Sequence, residues 1–279
     1  MYKKLFLITI SLIGVFLLSW CGLSQSEKKA FFFNYAGNEK SNLGDYQGAI
    51  QDYNKAIELN PKRDLAYFDR GEVKIELKDY QGAIQDYNKV IELNPKYATA
   101  YWARALAKIE LKDYTGAIED YNKAIQLNPD SAYYWGRAWI KAELKDYQGA
   151  IQDYDNAIQL EWNIQYTAMF YRFKGNLKIE LKDYTWALQD YDKAIQLNPN
   201  DYKWYGIRWE IRTELKDYTG ALQDYDKAIQ LNQSYARIYR KKGLNEIILN
   251  DLEWGCKDLQ KALDLGDIDS INKVKEYCK

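Results

Sequence analysis

Histidine is missing from this 279-residue chain, and cysteine, methionine and proline are scarce, at 3, 2 and 4 residues. The lack of histidine excludes a histidine general base, a histidine-containing catalytic triad and a histidine metal site. Cys21, Cys256 and Cys278 are too few for a four-cysteine zinc site and too scattered for a tight metal cluster. The sequence also lacks a P-loop, a Rossmann glycine fingerprint and a G-x-S-x-G motif. We therefore expect no enzyme activity, no metal and no cofactor.

Neither sign of charge dominates the chain, because 39 Lys and Arg stand against 40 Asp and Glu and give a net charge of −1. Proteins that bind nucleic acid usually carry a basic face, so we expect no nucleic-acid partner. Hydrophobic residues make up 47% of the chain and charged residues 28%. That composition is typical of a folded, soluble protein and not of a disordered one.

The first 23 residues form a separate unit. Two lysines precede an uncharged, mostly apolar run over 5–18, and the chain turns polar at Ser24, an order typical of a secretory signal. The tetrapeptide Leu-Ser-Trp-Cys that ends at Cys21 resembles the bacterial lipobox, which implies lipidation of Cys21. Residues 5–23 are also just long enough to span a bilayer. Lipidation, an uncleaved anchor and simple cleavage stay open, and each predicts an extracytoplasmic protein, membrane-associated or periplasmic, in a bacterium.

The remainder of the chain is one repeat. Asp-Tyr occurs at 45, 79, 113, 146, 183 and 217, mostly 34 residues apart, and Asn-Pro recurs at 60, 94, 128 and 198. A period of 34 residues is typical of a helix-turn-helix repeat. A short linker at 24–29 precedes seven copies, and a capping helix with a tail at 270–279 follows them. The copies are 30–63, 64–97, 98–130, 131–164, 168–201, 202–235 and 236–269.

The second copy resembles the tetratricopeptide repeat (TPR) at Tyr67, Gly71, Ala83, Tyr87 and Pro95. The resemblance implies an all-α fold, a right-handed superhelical solenoid of about seven repeats plus the capping helix. Each repeat then has a helix A and a helix B, with small residues at positions 8 and 20 of the copy and a tyrosine at position 24. Asp-Tyr should open helix B and Asn-Pro should end it. Cations at positions 7 and 11 and an aspartate at position 23 predict a ladder of ion pairs between the helices.

Three departures from the repeat carry further predictions. Trp209 stands at position 8 of copy six, where Gly or Ala is expected, so helix A is pushed outward or its register shifts. Three extra residues, 165–167, follow copy four and predict a bend between copies 1–4 and copies 5–7. The amphipathic segment 268–277 returns along the last helix B, and with an exported chain this predicts a disulfide between Cys256 and Cys278.

Several positions of helix A line the partner-binding groove of TPR proteins, so the resemblance implies that this chain binds a partner protein or peptide as a scaffold or assembly factor. Arg172, Asn176, Arg237 and Lys241, with Ile207, partly match a five-residue clamp by which some TPR domains hold a carboxylate. Two alternatives stay open: a polysaccharide on an aromatic stripe of Trp102, Trp135 and Trp139, or self-association through the aromatic first copy. The predicted groove residues are Phe68, Trp102, Leu106, Trp135, Trp139, Phe173, Arg172, Asn176, Arg237 and Lys241.

Overall fold

The computed structural model describes residues 23–278, which form fifteen α-helices and no strand. The leader, with its lipobox-like Cys21, lies outside the described residues. Two compact units divide the chain after Pro129. The first contains α1 Gln25–Asn42, α2 Tyr46–Leu59, α3 Asp64–Glu76, α4 Tyr80–Leu93, α5 Ala98–Glu110 and α6 Tyr114–Leu127. The second contains α7 Ser131–Glu143, α8 Tyr147–Leu160, α9 Ile164–Glu180, α10 Tyr184–Leu197, α11 Tyr202–Glu214, α12 Tyr218–Leu231, α13 Ala236–Ile248, α14 Leu252–Asp264 and α15 Ser270–Tyr277.

The predicted helix ends are confirmed by their capping geometry. The side chain of Asp79 accepts a hydrogen bond of 2.9 Å from the backbone N–H of Gly82 and so satisfies one free donor of α4. Asn94 ends the same helix, just before Pro95. In the A–B turn the residue before the aspartate has a positive φ, 60° at Lys78, a conformation that costs any residue except glycine. The same turn recurs at Lys112, Lys145, Lys182 and Lys216.

Small residues and tyrosines fit together across each helix pair, as the repeat predicts. A Cβ atom added to Gly71 of α3 would lie 2.7 Å from Cε1 of Tyr87 on α4, so the ring would have to shift to admit a larger residue. Ala83 and Tyr87 are almost completely buried. Burial of these faces is the main source of stability, at about 25 cal/mol per Å² of apolar surface.

The predicted ladder of ion pairs is confirmed. In copy three, Asp120 of α6 is 2.5 Å from Nη2 of Arg104 and 2.8 Å from Nζ of Lys108, both on α5. Arg104 also donates from Nη1 to Asn88 of the preceding copy at 2.5 Å, so one side chain connects three helices. The aspartates at position 23 of the other copies make equivalent pairs. They are Asp52, Asp86, Asp153, Asp190, Asp224 and Asp258.

One prediction about the junctions is wrong. Residues 24–29 are not a linker, because Ser24 and Glu27 form a capping box and α1 begins at Gln25. The extra residues 165–167 add a turn to the start of α9, which packs on α8. The bend expected between copies 1–4 and copies 5–7 stays a prediction.

Trp209 does not shift the register of copy six. Arg208 and Arg212 of α11 reach Asp224 of α12 at 2.5 and 3.0 Å, as their counterparts do in the other copies. The indole of Trp209 is only 2% exposed and lies against the ring of Tyr225, with 4.3 Å between centroids. The helix pair therefore accommodates the large side chain inside its own interface.

The last helix, α15, is tied to α14. A disulfide joins Cys256 to Cys278, with the Cα atoms 5.4 Å apart. Arg240 of α13 adds an ion pair of 2.7 Å to Asp267 in the turn before α15. Within residues 23–278, no helix combines the length and the apolar character needed to cross a membrane.

Candidate partner-binding surface

In the first unit, the predicted groove residues separate into buried and exposed ones. Phe68 of α3 is only 7% exposed and packs on the rings of Tyr87 and Tyr97, so it is a core residue and its prediction as a receiving surface is wrong. Leu106 of α5 is 37% exposed, and Trp102, one turn earlier, is half-buried. Only α5 therefore offers the predicted apolar surface in this unit.

The same unit has two buried acidic side chains on α3 that were not predicted from the sequence. Asp69 of α3 accepts a hydrogen bond of 2.5 Å from Nδ2 of Asn34 on α1. Burial raises the pKa of the Asp69 carboxyl above its usual value, against the hydrogen bonds from two asparagines and the charge of Arg63. Burial also raises the pKa of Glu72, one turn along α3. Their spacing of three residues on helix A is the signal that could have identified them.

In the second unit, two exposed tryptophans stand one turn apart on α7. Trp135 and Trp139 are 39% and 38% exposed, although most of the other aromatic side chains of this unit are at least half-buried. Residues four apart in a helix lie on the same face, so the two indoles form one apolar surface. The structure thus places these two predicted residues together.

Two of the predicted clamp residues, Asn176 and Arg237, already make polar contacts inside the protein. Asn176 of α9 accepts a hydrogen bond from the hydroxyl of Tyr191, and Arg237 of α13 pairs with Glu210 of α11 at 2.8 Å. Phe173 stacks on Tyr154 of α8, with 5.8 Å between ring centroids. Arg172 lies over the ring of Phe173 and makes no ion pair among the residues that the structure describes.

Arg172 borders a pocket of about 560 Å³ in the second unit. The extra turn of α9 forms one wall with Gln165 and Met169, and α11 forms the other with Lys203 and Ile207. Of the additional residues, Gln165 lines the pocket. The pocket combines apolar side chains with the cations Arg172 and Lys203 and the carboxylate of Asp201, so positive charge is in excess by one.

The titratable groups with shifted pKa values include tyrosines of the core and a carboxyl of α13. Burial raises the pKa of the tyrosines at position 24, such as Tyr121, above their usual value, which keeps them protonated. Over the described range, 23–278, no group of three or more cysteine or carboxylate residues is placed to hold a metal ion. Among the carboxyls of residues 23–278, Glu246 has the strongest shift, because burial and the charge of Asp258 raise its pKa to about 7.

Comparison with known protein families matches five segments of the chain to the TPR repeat. Residues 37–77, 71–111 and 210–244 match one description of it, and residues 98–131 and 168–201 match two others, both named tetratricopeptide repeat. The chain belongs to the tetratricopeptide repeat family. Its fold is that of a TPR solenoid, an architecture that serves as a scaffold for protein interactions.

Solved TPR structures share the fold at low sequence identity. The C-terminal part of a TPR repeat-containing protein from Cytophaga hutchinsonii is 18% identical, with a TM-score of 0.73, over 86% of this chain and 99% of that one. A tetratricopeptide repeat protein from Parabacteroides merdae is 19% identical, with a TM-score of 0.58, over 90% and 97%. The pilF protein of Pseudomonas aeruginosa is 19% identical, with a TM-score of 0.56, over 76% and 96%. A search of curated proteins finds no match.

Proposed function

We propose that this TPR protein is a non-enzymatic scaffold or assembly factor that binds an extended segment of a partner protein on its A helices. The observation that carries the proposal is the pair Trp135 and Trp139, which expose more than a third of each side chain on a single helix face. Tryptophan is the residue most enriched among the energetic centres of protein interfaces. Exposed apolar surface of this kind typically marks an interaction site.

Charge supports the same proposal and indicates the chemistry of the partner. In the second unit, Arg172 and Lys203 border the pocket between α9 and α11 without an ion pair among residues 23–278. The repeated cations, in contrast, are paired with carboxylates of the scaffold, as Arg208 is with Asp192 and Asp224. We infer that the segment bound by this unit has an acidic residue near an apolar one.

The experiment selects linear peptides from a random displayed library on the whole protein and measures their affinity by fluorescence polarisation. The double variant Trp135→Ala/Trp139→Ala should weaken a selected peptide at least about tenfold. Trp162→Ala is the matched control, because Trp162 is 91% exposed but lies in the turn before α9. Equal affinities for the double variant and the control would show that the tryptophan pair is not the binding surface.

We also propose that the protein acts outside the cytoplasm, held to the membrane through its N-terminal segment. The leader-like sequence and the pairing of Cys256 with Cys278 support this location, because disulfides persist in oxidising compartments. Mass spectrometry of the protein from membranes tests it. Acyl chains on Cys21, lost in Cys21→Ser, indicate a lipoprotein, whereas an N-terminus mapped beyond Cys21 without lipid indicates simple cleavage.

A further inference from the structure

Two tryptophans replace glycine at the start of helix B. Position 19 is glycine in copies one to four and in copy six, whereas copy five has Trp186 and copy seven has Trp254. Both lie in the second unit, in the first turn of α10 and of α14, and they are 55% and 50% exposed. Because they share one position of the repeat, they lie along the same edge of this unit. We call this surface the position-19 edge.

Glycine at position 19 leaves room for the cap of helix B. A Cβ atom added to Gly220 would lie 2.1 Å from a carboxylate oxygen of Asp217, whose side chain accepts a capping hydrogen bond of 2.9 Å from the N–H of Gly220. In copy five, where Trp186 supplies that Cβ, the side chain of Asp183 makes no capping hydrogen bond. In copy seven the equivalent bond is longer, at 3.3 Å. Since a weakened cap lowers the stability of a helix, packing within the scaffold does not explain these tryptophans.

Each indole stands among polar groups. Nζ of Lys178 lies 5.5 Å from the ring centroid of Trp186, and Nζ of Lys257 lies 4.2 Å from that of Trp254. About half of each tryptophan remains accessible, which leaves ring surface for a ligand. The residues three and four positions away along the chain are all polar or charged. They are Lys182, Asp183, Gln189 and Asp190 for the first indole, and Asn250, Asp251, Lys257 and Asp258 for the second.

A flat apolar ring beside a carboxylate suits a sugar. One face of a pyranose ring consists of C–H groups and packs on an indole, whereas its hydroxyl groups donate hydrogen bonds to carboxylate oxygens. Asp183 is released from capping and makes no ion pair among residues 23–278, so its oxygens are open to such bonds. A protein interface or a lipid surface favours apolar neighbours around the tryptophan, and a nucleic acid favours cations alone.

We propose that the position-19 edge binds a neutral polysaccharide, with one sugar ring on Trp186 and another ring of the same polymer on Trp254. Asp183 and Asp251 accept hydrogen bonds from the hydroxyl groups of these rings. Charges of both signs flank each indole, so a neutral polymer fits this surface better than an anionic or a cationic one. The proposal does not depend on the proposed scaffold function, which uses the tryptophan pair of α7.

Native electrophoresis of the whole protein through gels that contain a soluble polysaccharide tests the proposal, because binding slows migration. The probes are neutral polymers of glucose, mannose, galactose and N-acetylglucosamine, with a sulfated glucose polymer as the charged comparison. We expect at least one neutral polymer to slow the wild-type protein. Trp186→Gly and Trp254→Gly should each weaken that binding about tenfold, because simultaneous contact with two rings is lost.

The variants are chosen so that the fold is kept. Glycine is the residue that the other copies carry at position 19, so both glycine variants should fold, which circular dichroism verifies. Trp162→Ala is the matched control, since its indole is 91% exposed but lies in the turn before α9. It should bind the polymer as the wild type does.

The other outcomes overturn the proposal. No retardation by any neutral polymer, or equal retardation of the glycine variants and the wild type, shows that the position-19 edge binds no polysaccharide. Retardation by the sulfated polymer alone indicates a surface that binds through charge. Loss of retardation in Trp135→Ala/Trp139→Ala, with the glycine variants unaffected, places the sugar on α7. Failure of the scaffold function is distinguishable, because it removes peptide binding and leaves retardation by the polymer unchanged.

Discussion

Replacing Gly243 of α13 with alanine tests how closely the helices of the last pair approach one another. A Cβ atom at this position would lie 2.6 Å from the carbonyl oxygen of Gly255 on α14 and 3.1 Å from Cγ of Leu259. The oxygen belongs to the backbone, so α14 as a whole has to move. Copy seven has glycine at both position 8 and position 20, which is why the two helices can pack this closely.

Two opposing effects determine how much Gly243→Ala changes the free energy of unfolding. Alanine in place of glycine favours a helix by about 1 kcal/mol, whereas overpacking of a tight interface costs about 1–3 kcal/mol. Because a backbone atom is displaced, we take the upper end of that range and expect Gly243→Ala to lower the free energy of unfolding by about 2 kcal/mol. At about 2–4 °C per kcal/mol, the melting temperature should fall by about 4–8 °C.

Gly206 of α11 is the matched control. It is also a buried glycine inside a helix A, but its added Cβ would meet only the ring of Trp209, at 3.8 Å, an ordinary van der Waals distance. Gly206→Ala should therefore gain the helix propensity alone and raise the melting temperature by about 2–4 °C. Thermal unfolding followed by far-ultraviolet circular dichroism measures both. A melting temperature for Gly243→Ala at or above that of Gly206→Ala would refute this reasoning.

Three further predictions concern the turn, a buried acid and the C-terminus. Lys112→Gly should raise the free energy of unfolding by about 0.5–1 kcal/mol, because Lys112 has a φ of 62°, which glycine adopts without strain. The control Lys123→Gly, inside α6, should lower it by about 1 kcal/mol. Equal effects of the two substitutions in urea titrations would contradict this. The pKa of Glu246 is raised to about 7 from 4.5, so the folded state holds this proton more tightly than the unfolded chain and stability falls as the pH rises between these values. Glu246→Gln should remove that fall, which melting temperatures at pH 5 and pH 8 would show. Thiol counting on denatured, unreduced protein should find Cys256 and Cys278 blocked, and reduction should cost about 2–4 kcal/mol, whereas two free thiols would contradict the bond.

The helix pairs could be predicted because each copy repeats the same physical signals. Asp113 before α6 and Asn128 after it mark the two ends of a helix in the sequence, and small residues at fixed positions indicate where the helices touch. The positive φ of Lys112 was not predicted, although Gly44 of copy one and Asn250 of copy seven stand at the same place before the aspartate and are residue types that favour this conformation. The turn adopts that conformation because the helices on both sides require it.

The candidate site was less predictable than the fold. Phe68 and Trp135 share position 5 of their copies, yet Phe68 is 7% exposed and Trp135 is 39% exposed. The difference depends on whether the aromatic side chains of the neighbouring helices cover the position, which a single sequence does not specify.

The regular positions of the repeat stabilise the helix pairs, whereas the irregular residues carry the groups without a partner in the scaffold. Aspartates such as Asp224 have their carboxylate oxygens engaged by cations of their own helix pair, so the regular positions leave little chemistry for a partner. The exceptions are the irregular residues: Arg172 without an ion pair among the described residues, and Trp209 with its donor unused. An array of identical copies would bind a given segment with equal affinity at each copy. Under the proposed scaffold function, residues that differ from copy to copy would instead select one sequence in one register.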